Sequence, residues 1–147
     1  MREVPCDVEE VARSVVDAAF HLHRDIGPGL LESVYEALLA EKLRGRGLEV
    51  DRQLPIDINF DGIRINDAFR ADLVVERKLL VELKSTEKFV PVHGKQVLTY
   101  VRLTGLPLGL LINFGAEVFR EGVKRIINDR PLRAFAPLRE TIKLVGD

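Results

Sequence analysis

Asp72, Glu82 and Lys84 are the residues whose types and spacing point most directly to chemistry. Asp72 begins an apolar run, Asp-Leu-Val-Val, and Glu82 and Lys84 end the next one, Leu79-Leu-Val-Glu-Leu-Lys. A short turn at Arg77-Lys78 would lay the two runs side by side as antiparallel strands, with Asp72 beside Glu82. Strand alternation puts Glu82 and Lys84 on one face. Two carboxylates and an ammonium then meet at one end of a sheet. Adjacent carboxylates repel unless a cation separates them. Mg²⁺ and Mn²⁺ favour such hard oxygen ligands, with water completing the octahedron. A metal there would polarise a phosphoryl oxygen and activate a bound water, and Lys84 would orient that water or neutralise developing charge. The competing reading is an ordinary surface ion pair of Glu82 with Lys84 or Arg70. The apolar neighbours Val81 and Leu83 argue against it, because an unpaired charge inside an apolar strand is costly.

The elements that must position these residues follow from hydrophobic period. Residues 8–24 carry Val8, Val11, Val15, Ala18, Ala19 and Leu22 at helical spacing, with Asp7 as N-cap and Glu10 as its capping-box partner. Gly27-Pro28-Gly29 ends this helix. A second helix is expected near Leu31–Arg44, with a stripe of Leu31, Val34, Tyr35, Leu38, Leu39 and Leu43. The period then changes to two: Leu54, Ile56, Ile58 and Phe60 alternate with polar residues or proline, Asp61-Gly62 forms a hairpin turn, and Ile63 and Ile65 resume the pattern. Strands at 71–75 and 79–83, a helix over 92–104 and an apolar strand over 108–114 follow. Residues 118–127 read as a strand pair or a bent edge strand, and the tail 130–147 as carrying one short helix. This order describes a single α/β domain with a mixed central sheet flanked by helices. Its core covers about residues 8–128, with a tail over 129–147.

Composition narrows the classes. The 147 residues are 46% hydrophobic and 31% charged, so the chain is neither disordered nor membrane-embedded. No apolar stretch approaches a membrane span, and the acidic N-terminus does not read as a signal peptide. Cys6 is the sole cysteine, which excludes a disulfide framework and a cysteine-based zinc site within one chain and suits a cytoplasmic setting. The net charge of -1 conceals 29 residues from Lys88 to Ala116 with no Asp or Glu but with Lys88, His93, Lys95 and Arg102, where a polyanion could dock. A buried helix and strand that need few charges would look the same. Asp57-Ile-Asn59-Phe-Asp61-Gly62 imitates the opening of a calcium loop, but Ala68 stands where the bidentate Glu belongs and the flanks alternate as strands do. Leu132, Phe135, Leu138 and Ile142 in the tail would pack on their own sheet or on a second copy in a homo-oligomer.

The arrangement Asp72, then Glu82-x-Lys84, resembles the PD-(D/E)xK nuclease superfamily. Gly29-Leu-Leu-Glu32-Ser-Val-Tyr35 resembles the signature of the GxxExxY proteins, a prokaryotic group of that superfamily, and Gln96-Val-Leu-Thr-Tyr100 is similar to the QxxxY motif of RecB-like nucleases. The resemblance implies a restriction-endonuclease-like core and a Mg²⁺- or Mn²⁺-dependent nuclease acting on DNA rather than RNA. It implies Asp72, Glu82, the Leu83 carbonyl and Glu32 as metal ligands, with His23 as a further one folding back from the first helix. Lys84 would be the catalytic lysine. Gln96 would contact the metal-bound water or the scissile phosphate, and Tyr100 would position the motif or the nucleic acid. Lys88, His93 and Lys95, read from the segment without acids, are the further candidates for contact with nucleic acid. Ala71 stands where the superfamily name has Pro, a position that supplies no ligand. Glu32 and Tyr35 also have plainer readings, as a first-turn acid and a core residue. A catalytically silent module that grips nucleic acid or protein on the same fold is the alternative function.

Overall fold

The structure is a computed structural model that describes residues 4, 6–88, 90–130 and 143–144. Two helices come first, α1 (Cys6–Ile26) and α2 (Glu32–Gly45). A long hairpin follows, β1 (Val50–Phe60) and β2 (Ile63–Val75), then β3 (Leu79–Lys84), α3 (Pro91–Thr104), β4 (Leu108–Asn113), a 3₁₀ turn (Phe119–Gly122), β5 (Val123–Ile127) and β6 (Lys143–Leu144). The strands form one sheet in the order β5-β4-β3-β2-β1-β6. Among the described strands only β3 and β4 run parallel, joined through α3. The sheet is therefore mixed, and β3 and β4, buried along almost their whole length, are interior strands.

Helices cover both faces. Val15, Ala19, Leu39 and Leu43 pack with Leu73, Leu79, Val81 and Leu110 in one core cluster. Val97 and Val101 of α3 pack with Ile56, Val74, Leu80 and Leu111 in the other. Alternate residues of β3 thus serve opposite cores, and the helices hold the end of β3 where Glu82 and Lys84 stand.

Several expectations are corrected. The stripe on α2 is turned by part of a turn: the buried residues are Tyr35, Glu36, Leu39, Ala40 and Leu43, while Leu31, Val34 and Leu38 are exposed. Tyr35 fixes that rotation. Its ring stacks on Phe114 with centroids 4.4 Å apart, its hydroxyl donates to the Gly27 carbonyl at 2.5 Å, and it accepts from the Leu30 N–H. Asp7 does not precede the first helix but lies in its first turn, bonded to the Val8 N–H and paired with Lys78 at 2.9 Å. Residues 63–75 form one unbroken strand, and the turn to β3 centres on Glu76 and Arg77, both at positive φ, rather than on Arg77-Lys78. Residues 119–122 are a 3₁₀ turn, so only 123–127 of the expected strand region extends along β4. The apolar tail residues and the short tail helix lie outside the described residues.

Candidate active site

Register brings the acidic residues together. The last paired residues of β2 and β3 are Leu73 and Val81, so Asp72 and Glu82 sit one step beyond, side by side. The main chain locks them reciprocally: the Asp72 N–H donates to Glu82 Oε1 at 3.1 Å, and the Leu83 N–H donates to Asp72 Oδ2 at 2.8 Å. Glu82 is only 5% exposed. Burial, reinforced by the neighbouring Asp72 charge, pushes its carboxyl up to about 8, against the partial relief of the Asp72 N–H and the Lys84 charge. At neutral pH Glu82 therefore tends to keep its proton unless a cation replaces it.

Lys84 closes β3, half-buried on the same strand face as Glu82. Gln96 and Tyr100 are hydrogen-bonded to each other on α3, and Tyr100 feels the acidic pair. Burial first, then the charge of Glu82, raises the Tyr100 hydroxyl, so the phenol stays a neutral donor. Its ring stacks on Phe69, with centroids 3.9 Å apart, which fixes it between β2 and α3. Asp72, Glu82, Lys84, Gln96 and Tyr100 thus form one group.

The remaining expected site residues lie around that group. Glu32 is exposed in the first turn of α2 and lines a cleft of about 450 Å³ with Leu30, Leu31, Ser33 and Ser85, the residue after Lys84. His23 is buried, with its Nε2 2.6 Å from the Ala116 carbonyl and its ring 5.7 Å from Phe119. Among the described residues no three His, Cys, Asp or Glu side chains gather into a group that could hold a metal ion. Leu83 is buried, and its N–H serves Asp72. His93 closes the start of α3, its Nδ1 accepting from the Val90 N–H at 3.4 Å. Lys88 and Lys95 are exposed on the loop and helix that follow β3.

Sequence reasoning missed Glu36, Gln53 and Asn113. Glu36 is 5% exposed, and its Oε2 accepts from Arg52 at 3.1 Å. Its Oε1 accepts from Gln53 Nε2 at 2.6 Å, and the same nitrogen donates to Asp72 Oδ1 at 3.1 Å. Gln53 has a φ of 48°, a left-handed conformation inside a strand; for a non-glycine residue this costs about 1 kcal/mol or more. Asn113, at the end of β4, accepts from the Thr86 and Gly115 N–H groups and donates to the Thr86 carbonyl, all within 3.0 Å. It clamps the chain just after Lys84. Gly115 permits that approach, since a Cβ there would lie 2.2 Å from the Thr86 carbonyl oxygen. The one signal available was a carboxylate at position 36 beside Tyr35 on a helix face that had to be buried.

The donor set fits a hard divalent cation. Two carboxylates abut, one of them too buried and crowded to ionise readily alone, and Mg²⁺ commonly takes one or two carboxylates with water and phosphate oxygens completing its shell. Asp72 and Glu82 are the side chains that would hold it. Comparison with curated proteins and with solved structures finds no match. The sequence profile of the PD-(D/E)XK nuclease superfamily matches residues 9–126, from the first helix to the last core strand and across every residue of the group above. On that match and this fold, the chain belongs to the PD-(D/E)XK nuclease superfamily.

Proposed function

We propose that this protein hydrolyses phosphodiester bonds of nucleic acid, DNA foremost, with a divalent ion held by Asp72 and Glu82. The observation that carries the reading is the abutting acidic pair with Lys84 on the same strand end and Gln96 and Tyr100 facing it from α3. The similarity of residues 29–35 and 96–100 to the GxxExxY and QxxxY motifs supports it. Bound there, Mg²⁺ or Mn²⁺ would supply Lewis acidity toward a phosphoryl oxygen and an acidified water. The chain's own residues do the rest. Lys84 neutralises charge developing on the phosphate. The Gln96 amide orients the attacking water or a non-bridging oxygen, and Tyr100 holds Gln96. Lys88 and Lys95 contact neighbouring phosphates; with a net charge of -1 they give modest, salt-sensitive binding.

Single-turnover cleavage of end-labelled single- and double-stranded DNA and RNA tests this reading. Cleavage in Mn²⁺, none in EDTA, and a loss of about 100-fold or more in Lys84→Ala are expected, in line with removal of one charge-stabilising group. An unchanged rate in Lys84→Ala would contradict the mechanism. A second reading, a module that grips nucleic acid without cutting, is favoured by one observation: the ring of His23, an expected ligand, is engaged by the Ala116 carbonyl. Gel shift in EDTA with no cleavage on adding Mn²⁺ would select it.

A further inference from the structure

The acidic pair is not held by the main chain alone. Gln53 stands opposite Asp72 on β1, between Arg52 and Leu54, which pair with Leu73 and Ala71. Its side-chain nitrogen has two protons, and the geometry uses both: one goes to Glu36 Oε1 at 2.6 Å and one to Asp72 Oδ1 at 3.1 Å. Glu36 is itself buried and pinned by Arg52 through its other oxygen. The chain Arg52–Glu36–Gln53–Asp72 therefore runs from the buried face of α2, across β1, to the candidate metal ligand.

Two features point to a purpose beyond packing. The chain places a carboxylate inside the protein where an apolar side chain would fill the same space without a desolvation cost. It also needs Gln53 in a left-handed conformation, φ 48°, in the middle of a strand. Backbone strain of this kind persists where the surroundings impose it and gathers at functional sites. A primary amide suits the place: it is neutral and cannot titrate, and its two N–H groups join two acceptors that would otherwise repel.

We propose that Gln53, braced by Glu36, is a positioning residue that fixes the Asp72 carboxylate in its ligating orientation. This rests on the reading of Asp72 and Glu82 as a metal site. With Oδ2 taken by the Leu83 N–H and Oδ1 by Gln53, the carboxylate plane cannot rotate. Each carboxylate oxygen has a second lone pair with which to accept. Hydrogen bonds that orient a ligand commonly govern metal affinity by 10- to 100-fold.

The test uses Gln53→Gly and Gln53→Asn in the full chain. Glycine adopts φ 48° without strain, and asparagine tolerates it better than most residues. Neither reaches both carboxylates, and asparagine keeps a side chain in place should glycine impair folding. Mn²⁺ is titrated calorimetrically into wild type and both variants, with thermal melts as the fold control. The carboxyl ¹³C signal of Asp72 is followed in the metal-free proteins. Affinity lowered at least tenfold in both variants, with near-native melting and a displaced Asp72 signal, is the expected result. Wild-type affinity in both variants would overturn the positioning role and leave the metal site standing. Absence of Mn²⁺ binding in the wild type would remove the metal site, and this proposal with it.

Discussion

A carboxyl group pressed against another inside a protein titrates late, and that has a consequence for stability. Glu82 titrates at about 8 in the folded protein, against 4.5 as the ordinary value it would regain on unfolding. The folded state therefore holds the proton more tightly. The stability this contributes is complete below pH 4.5 and falls as pH rises toward about 8, by at most about 1.4 kcal/mol per pH unit. Glu82→Gln keeps the shape without the charge, so its melting temperature should stay flat across pH 5–8 while that of the wild type falls, the variant being the more stable at pH 8. Parallel melting curves across that range would contradict the assignment. Saturating Mn²⁺ should remove the wild-type decline, because the cation takes the place of the proton. These residues were legible before the fold. A charge that interrupts an apolar strand demands a reason, and two such charges ten residues apart across a turn suggest a shared one.

At the scale of elements, α2 shows where a pattern stops being decisive. Leu31, Val34 and Leu38 make as good a helical stripe as Tyr35, Leu39 and Leu43. What chooses between them is tertiary: the Tyr35 hydroxyl bonded to Gly27, its ring on Phe114, and Glu36 held by Arg52 and Gln53. None of those contacts has a local signature. The structure predicts that Leu39→Ala, at a fully buried position, costs about 2–5 kcal/mol. Leu38→Ala, at a position 37% exposed, should cost less than about 1 kcal/mol. Urea denaturation separates the two, and equal losses would mean that α2 is rotated otherwise. The β4 end carries a second prediction. Asn113→Ala strips the Thr86 and Gly115 main-chain groups of their partners, so it should cost about 2–4 kcal/mol and slow cleavage by loosening the segment that follows Lys84. A variant as stable and as active as the wild type would show that the clamp is dispensable.

For the molecule as a whole, the change of hydrophobic period from helix to strand, the Asp61-Gly62 turn and the apolar run at 108–114 were enough to read a mixed sheet between helices. The parallel pairing of β3 with β4 follows from the helix that joins them. Less accessible were contacts between segments far apart in sequence: Gln53 with Glu36 and Asp72, and His23 with the Ala116 carbonyl. Residue type cannot give these, since a histidine near a helix end satisfies a carbonyl as readily as it binds a metal. What the fold accomplishes is to set the ends of β2 and β3 so that two carboxylates share a space that disfavours two negative charges, with a lysine two residues on and a helix delivering Gln96 and Tyr100 to the same place. The measurement that bears most directly on this needs no knowledge of the substrate: calorimetric titration of Mn²⁺ into wild type, Asp72→Ala and Glu82→Ala near pH 8. Saturable binding in the wild type that is lost in both variants is the predicted result. Binding that survives in either variant, or none in the wild type even with a short DNA duplex present, would contradict the account.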